Sequence, residues 1–270
     1  MSQDHLLRRH APITDSAWEL LDTEARQRLI ASLGARKLID FAGPHGWQHS
    51  STSLGRTDEV ANTPLPAITA RTRRVLPLTE VRASFQVSYT ELADNDRGAA
   101  DVDLDDLDAA ATRIAETENI AVFHGWPDAG ITGITQASPH PEIPRVTDFN
   151  DYPRRVATAV ATLKKSGIDG PYGLALGPTD FTAVVETTEY GGYPLFDHLR
   201  KILLGPIVWS PGVRGAVVLS LRGGDFLFDS GEDLSVGYHF HDETAVHLYI
   251  EESFSFRVAT PEAAVALAAE

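Results

Sequence analysis

His239 and His241 stand two residues apart in the last third of the chain, with His247 further on. Side chains at i and i+2 of a strand share a face, and neutral imidazoles bind transition metals, so this is the sharpest metal-ligand spacing present. Asp242 and Glu243 beside them give the segment the polarity of a solvated strand end, and that reading outweighs the metal one. Asp101, Asp103, Asp105, Asp106 and Asp108 suggest calcium chemistry. A calcium loop needs Gly at its sixth position and Glu at its twelfth, where this register has Asp106 and Thr112, so the acids read as the start of a helix. Tyr190 and Tyr193 flank two glycines, in a loop that either lines a ligand or pore or is a surface turn. The sequence has no P-loop, no GxSxG elbow, no HExxH and no GxGxxG after a strand. It also has no cysteine, which excludes disulfides, thiolate metal sites and a Cys nucleophile.

The elements that position these residues are those of an α+β chain with a β-rich end. Thr14 or Asp15 caps a helix in which Trp18, Leu21, Ala25, Leu29 and Leu33 recur at three- and four-residue spacing. Residues 48–77 are rich in Ser, Thr and Arg, carry prolines at 64, 66 and 77, and offer no apolar face to bury. A strand is expected over residues 78–89 and a long helix from about Asp105. Further helices are expected over 152–165, from Thr179, and over 195–204, with a strand at 173–177 between the first two. Strands follow at 216–221, 226–228, 234–238, 246–251 and 254–258, then a short helix at 261–269.

The 38 acidic residues outnumber 23 basic ones, giving a net charge of −15 that repels nucleic-acid and anionic lipid surfaces. Neither nucleic acid nor membrane is expected as a partner. The first ten residues lack a signal-peptide core, and no run of roughly 18 apolar residues occurs, so the expected location is the cytoplasm.

Nine segments in order carry a resemblance: HAPIT at 10–14 followed by Trp18, GARKLIDFAGPHGW at 34–47, LPLTEVRASF at 76–85, Arg97-Gly98, GIDGPY at 167–172, GYPL at 192–195, RGGDF at 222–226, DLSVGY at 233–238, and ESFSFRVATPEA at 252–263. Together they resemble the family 1 encapsulins, the linocin-type shell proteins of bacterial nanocompartments. The resemblance implies the Hong Kong 97-type fold of tailed-phage major capsid proteins, with peripheral domain, axial domain and extended loop. Carried onto this chain, it gives an N-terminal helix and peripheral domain over 1–47 and an extended loop over 48–77. The peripheral domain continues with a spine helix over 78–136, the axial domain spans 137–221, and C-terminal strands over 222–270 return mainly to the peripheral domain.

The family implies an icosahedral homo-oligomer of about sixty subunits by the smallest such symmetry, with no active site of its own. It would enclose a cargo enzyme, a dye-decolourising peroxidase or ferritin-like iron protein, held by a C-terminal peptide of the cargo. Positions matching the family's docking groove are Leu29, Leu33, Arg36 and Asp40, with support from Leu248 and Ile250. The pore loop would be Thr187, Thr188, Glu189, Tyr190, Gly191, Gly192 and Tyr193, Glu189 favouring cations. Some relatives carry a flavin-stacking Trp before Glu91-Leu92; here the residue is Thr90, with Tyr89 on the other face of the expected strand, so no cofactor is expected. Gly192 stands where some relatives have a pore His. The competing readings are a prophage-derived major capsid protein and a small metalloenzyme using His239, His241 and His247.

Overall fold

A computed structural model describes residues 5–268 except 145, 147 and 190. Helix α1 (Asp15–Ser32) starts where the Thr14 hydroxyl accepts the Ala17 amide at 3.2 Å, and its Trp18, Leu21, Ala25 and Leu29 are buried along one stripe, as their spacing requires. Strand β1 (Asp40–Ala42) follows, then β2 (Ser51–Glu59) and β3 (Arg71–Pro77), which pair only with each other as an antiparallel ribbon. Neither ribbon strand has a buried residue, so the polar segment forms a projecting arm. Thr52 and Ser255 join their hydroxyls at 2.8 Å at its root.

Strand β4 (Thr79–Ser88) ends where the Ser88 hydroxyl accepts the Glu91 amide and caps α2 (Tyr89–Asp96). The placement of Tyr89 on a strand is therefore corrected: local apolar alternation runs on to Tyr89, but the cap at Ser88 turns the backbone helical. Helix α3 (Asp105–His124) begins among the acids, with the Asp103 carboxylate accepting the Asp105 amide and the Glu91 carboxylate accepting that of Asp103. Next come α4 (Ile134–Ala137), α5 (Tyr152–Lys165), β5 (Tyr172–Leu176), α6 (Pro178–Glu186), α7 (Leu195–Leu203), β6 (Ile207–Trp209) and β7 (Ala216–Ser220). The chain finishes with β8 (Phe226–Ser230), β9 (Ser235–His241), β10 (Ala245–Val258) and β11 (Ala264–Leu267).

Two sheets organise the molecule. One has the order β1-β8-β10-β4, with β9 also on β10; the other has the order β11-β7-β5-β6. The two strands expected at 246–251 and 254–258 are a single strand, β10, whose first part pairs with β9 and last part with β8 while β4 runs along its other side. Nor do residues 261–268 form the helix expected over 261–269. After a turn at Pro261–Ala263, β11 completes the second sheet against β7, so this part of the 222–270 segment leaves the first sheet. The run AVAL suits either state, and the open edge of β7 decides between them.

Each sheet has its own core. Leu107, Ile114 and Ala115 of α3 pack with α1, β4, β9 and the Val246–Ile250 part of β10, whereas Ala121, Val122 and Phe123 join the core under the second sheet, as do Phe254 and Phe256. Helix α3 and strand β10 thus link both halves. At their junction Asn119 is fully buried, its carbonyl accepting the Ala35 amide and its amino group donating to the Ser32 and Pro211 carbonyls, all at 2.9–3.0 Å.

Candidate functional site

A groove of about 390 Å³ lies between α1 and β9. Its apolar lining comes from Leu6, Leu29, Ile30, Leu33, Val236 and Ile250, and its charged rim includes Arg8, Arg26, Asp22, Arg36 and Asp233. Leu29 and Leu33 are nearly buried and form the floor, while Ile30 is 60 % exposed on the wall. Four of the six docking residues expected from the sequence, Leu29, Leu33, Arg36 and Ile250, therefore share one groove. Leu248 is buried on the same strand and does not line it. Asp40 lies elsewhere: its carboxylate accepts the Gly224 amide at 2.7 Å and stabilises the turn before β8.

Arg36 is not a free polar fixing. Its guanidinium donates to Glu118 of α3, Glu252 of β10 and Asp233 at 2.6–2.8 Å, and the two glutamates are essentially buried. One cation thus meets three carboxylates. Glu118 Oε1 and Glu252 Oε1 are buried with no further acceptor or donor from neighbouring groups. Burial together with the Glu118 charge pushes the Glu252 carboxyl well above the usual range. The acids hold Arg36 more basic than a free arginine despite its burial. The cluster clamps the groove end to both cores. A glutamate among Ile114, Ala115, Ala121 and Val122 on the buried face of α3 was the available sign of Glu118; nothing local marked Asp233 or Glu252 as its neighbours.

The loop from α6 to α7 closes on itself, with the Glu189 amide donating to the Tyr193 carbonyl at 2.9 Å and a bridge between Thr188 and Pro194. Tyr190 lies outside the described residues. The Glu189 carboxylate meets His198 Nδ1 at 2.9 Å, and the Lys201 ammonium sits 4.8 Å over the Tyr193 ring. Gly191 and Gly192 have φ of 111° and 80°, the left-handed side that other residues rarely enter. Glu189 is thus a partnered acid at the base of a tight loop, because α7 brings His198 beneath it.

The histidines do not converge. His241 Nδ1 meets the Tyr238 hydroxyl at 2.6 Å, His247 Nε2 meets Asp242 at 2.8 Å, and the His247 ring stacks on Phe240 at 4.2 Å. Among the described residues no group of three or more His, Asp or Glu is placed to hold a metal ion. Thr90 is an exposed residue of α2 and offers no ring, and Tyr89 packs against the first core, so these residues do not fit a flavin-stacking site. No helix of the described residues is long and apolar enough to cross a membrane.

The fold has counterparts. Residues 3–255 match the family described as "Encapsulating protein for peroxidase". The type 1 encapsulin shell protein of Rhodospirillum rubrum is 47 % identical over 267 residues, covering 97 % of this chain and 95 % of that one. That of Rhodococcus erythropolis is 39 % identical over 259 residues, covering 96 % and 97 %. Among solved structures, a virus-like particle from Pyrococcus furiosus aligns with a TM-score of 0.63 at 15 % identity, over 93 % of this chain and 98 % of that one. The protein of Mycobacterium phage Bobi gives 0.59 at 13 % identity over 88 % and 91 %. At those identities the structural likeness shows the phage-capsid fold alone, whereas the sequence relatives span nearly the whole chain. The chain belongs to the encapsulin family of shell proteins, whose role is structural and not catalytic.

Proposed function

We propose that copies of this chain close into an icosahedral shell in the cytoplasm, of roughly sixty subunits in the smallest such symmetry. The shell encloses a cargo enzyme, a dye-decolourising peroxidase or a ferritin-like iron protein, which is held through a C-terminal peptide in the α1–β9 groove. Small ions enter past residues 187–193 on a symmetry axis. The observation that carries this reading is the arm: a two-stranded ribbon without a buried side chain, exposing Val60, Leu65, Ile68 and Val75, is intelligible when another copy covers it. Native mass of the purified protein tests it. Intact chain should run as a megadalton-scale shell, and deletion of residues 57–71 should give folded subunits that fail to assemble. Intact protein that stays monomeric or dimeric at micromolar concentration overturns the proposal, as does loss of cooperative melting in the truncated subunit. The near-full-length encapsulin relatives favour this reading over a prophage capsid.

A further inference from the structure

Residues 43–50 connect β1 to the arm and form its root. Gly46 turns with φ of 97°, and two backbone bonds tie the connection to the turn between β8 and β9: the His45 amide donates to the Ser230 carbonyl at 3.0 Å, and the Gly46 amide to the Gly231 carbonyl at 2.8 Å. The Trp47 side chain takes no part in these bonds and is 44 % exposed. What covers its indole is the His5 ring, stacked with centroids 4.9 Å apart and planes 15° from parallel.

From His5 onward the chain touches one element after another. His5 Nε2 lies 3.4 Å from the Glu232 carboxylate, beside the turn that holds the arm root. The Leu6 carbonyl accepts the Tyr238 amide of β9 at 2.8 Å. Leu7 bends the backbone with φ of 53°. Arg8 then donates to both carboxylate oxygens of Asp22 of α1, at 3.1 and 2.8 Å, and lies 4.0 Å over the ring of the buried Trp18. Residues 5–8 thus join the arm root to the buried stripe of α1.

Leverage makes that connection matter. Neither arm strand has a buried residue, so the direction of the ribbon is fixed at its root and nowhere further out. Strand β2 has nine residues. At roughly 3.3 Å per residue it extends about 30 Å, so a tilt of about 10° at the root carries the far end about 5 Å. Apolar contact is lost beyond about 4.5 Å, so a tilt of that size takes the arm off any surface that receives it.

We infer that residues 5–8 are a strap that sets the angle of the arm, fastened by the His5–Trp47 stack, and that a subunit with the strap released folds but joins other copies poorly. This rests on the shell reading above, in which another copy covers the arm. Stacking needs a planar ring and not an imidazole in particular, so Phe at position 5 keeps the fastening and Ala releases it.

The chain has no cysteine, so two introduced thiols are the only sites for spin labels. Asn62→Cys, between β2 and β3, and Ala157→Cys, on α5, are both at exposed positions and report the arm angle in dissociated subunits by double electron–electron resonance. The distance distribution should be narrow with His5 present, at least twofold broader in His5→Ala, and narrow again in His5→Phe. Native mass at limiting concentration should show the assembled fraction falling at least tenfold in His5→Ala and returning in His5→Phe. Melting temperatures of the dissociated subunits should agree within about 2 °C, as surface substitutions do. A broad distribution with His5 present, an unbroadened one in His5→Ala, or equal assembly of His5→Ala and the parent overturns the strap. Loss of assembly in His5→Phe, or a larger fall in subunit melting in His5→Ala, overturns it too, because the residue then supports something other than the arm angle. A parent chain that never assembles refutes the shell reading instead, and the distance distributions still decide the strap.

Discussion

Replacing Arg36 by Met removes the cation that bridges a cluster of three carboxylates, two of them buried. Asp233 is 42 % exposed and regains water, but Glu118 and Glu252 cannot. Breaking a buried ion pair from one side costs about 3–5 kcal/mol, because the remaining charge keeps its desolvation penalty without its partner. At roughly 2–4 °C per kcal/mol for a chain of this size, the apparent melting temperature should fall by about 6–20 °C. The second variant is Glu252→Gln, an uncharged side chain of nearly the same shape. The Glu252 carboxyl has its folded pKa raised above the unfolded value, so between the two the native state holds one proton more than the unfolded chain. Its contribution is present at low pH and is lost as pH rises from the ordinary glutamate range through the raised folded value. Wild-type shells should therefore lose melting temperature across that window, and Glu252→Gln shells should lose less. Differential scanning fluorimetry at a series of pH values reads both effects. A melting temperature for Arg36→Met within 2 °C of wild type, or identical pH slopes for wild type and Glu252→Gln, would refute the reasoning.

Asn119→Ala strands a buried amide and two buried carbonyls at once. Each costs roughly 1–3 kcal/mol, so a loss of at least 3 kcal/mol is expected in urea unfolding of dissociated subunits, and a loss below 1 kcal/mol contradicts the bonding described. Ile30→Glu changes an exposed groove wall, so melting should shift by less than about 0.5 kcal/mol while cargo co-purified per shell drops sharply; normal loading places docking elsewhere. Glu189→Lys replaces the acid beside His198 with a cation. Stopped-flow ferrous uptake should slow and anion uptake quicken, most at low salt, where screening is weakest; unchanged rates for both would show that residues 187–193 are not the route.

Helix α1 was legible because its burial pattern is a local periodicity: the residues spaced three and four apart are the ones the helix buries. The arm was legible for the converse reason, since thirty residues without an apolar face have nothing to fold around. The ordered motifs carried the family, and with it the fold and the α1 groove. What sequence could not assign were features made by parity and long-range juxtaposition. Arg36 and Glu252 lie 216 residues apart, so nothing near Arg36 says that it is sequestered in an ion cluster. The Glu189–His198 contact exists because α7 folds back beneath the loop. The AVAL segment is too short for its own propensity to choose helix or strand, and the edge of β7 chose. Which side of β10 each residue faces is likewise set in space, by backbone bonds to Glu232, Asp242 and Tyr89. Local periodicity is a property of neighbours along the chain, whereas pairing phase and buried-charge partnership are properties of neighbours in space, and only the tertiary structure brings those together.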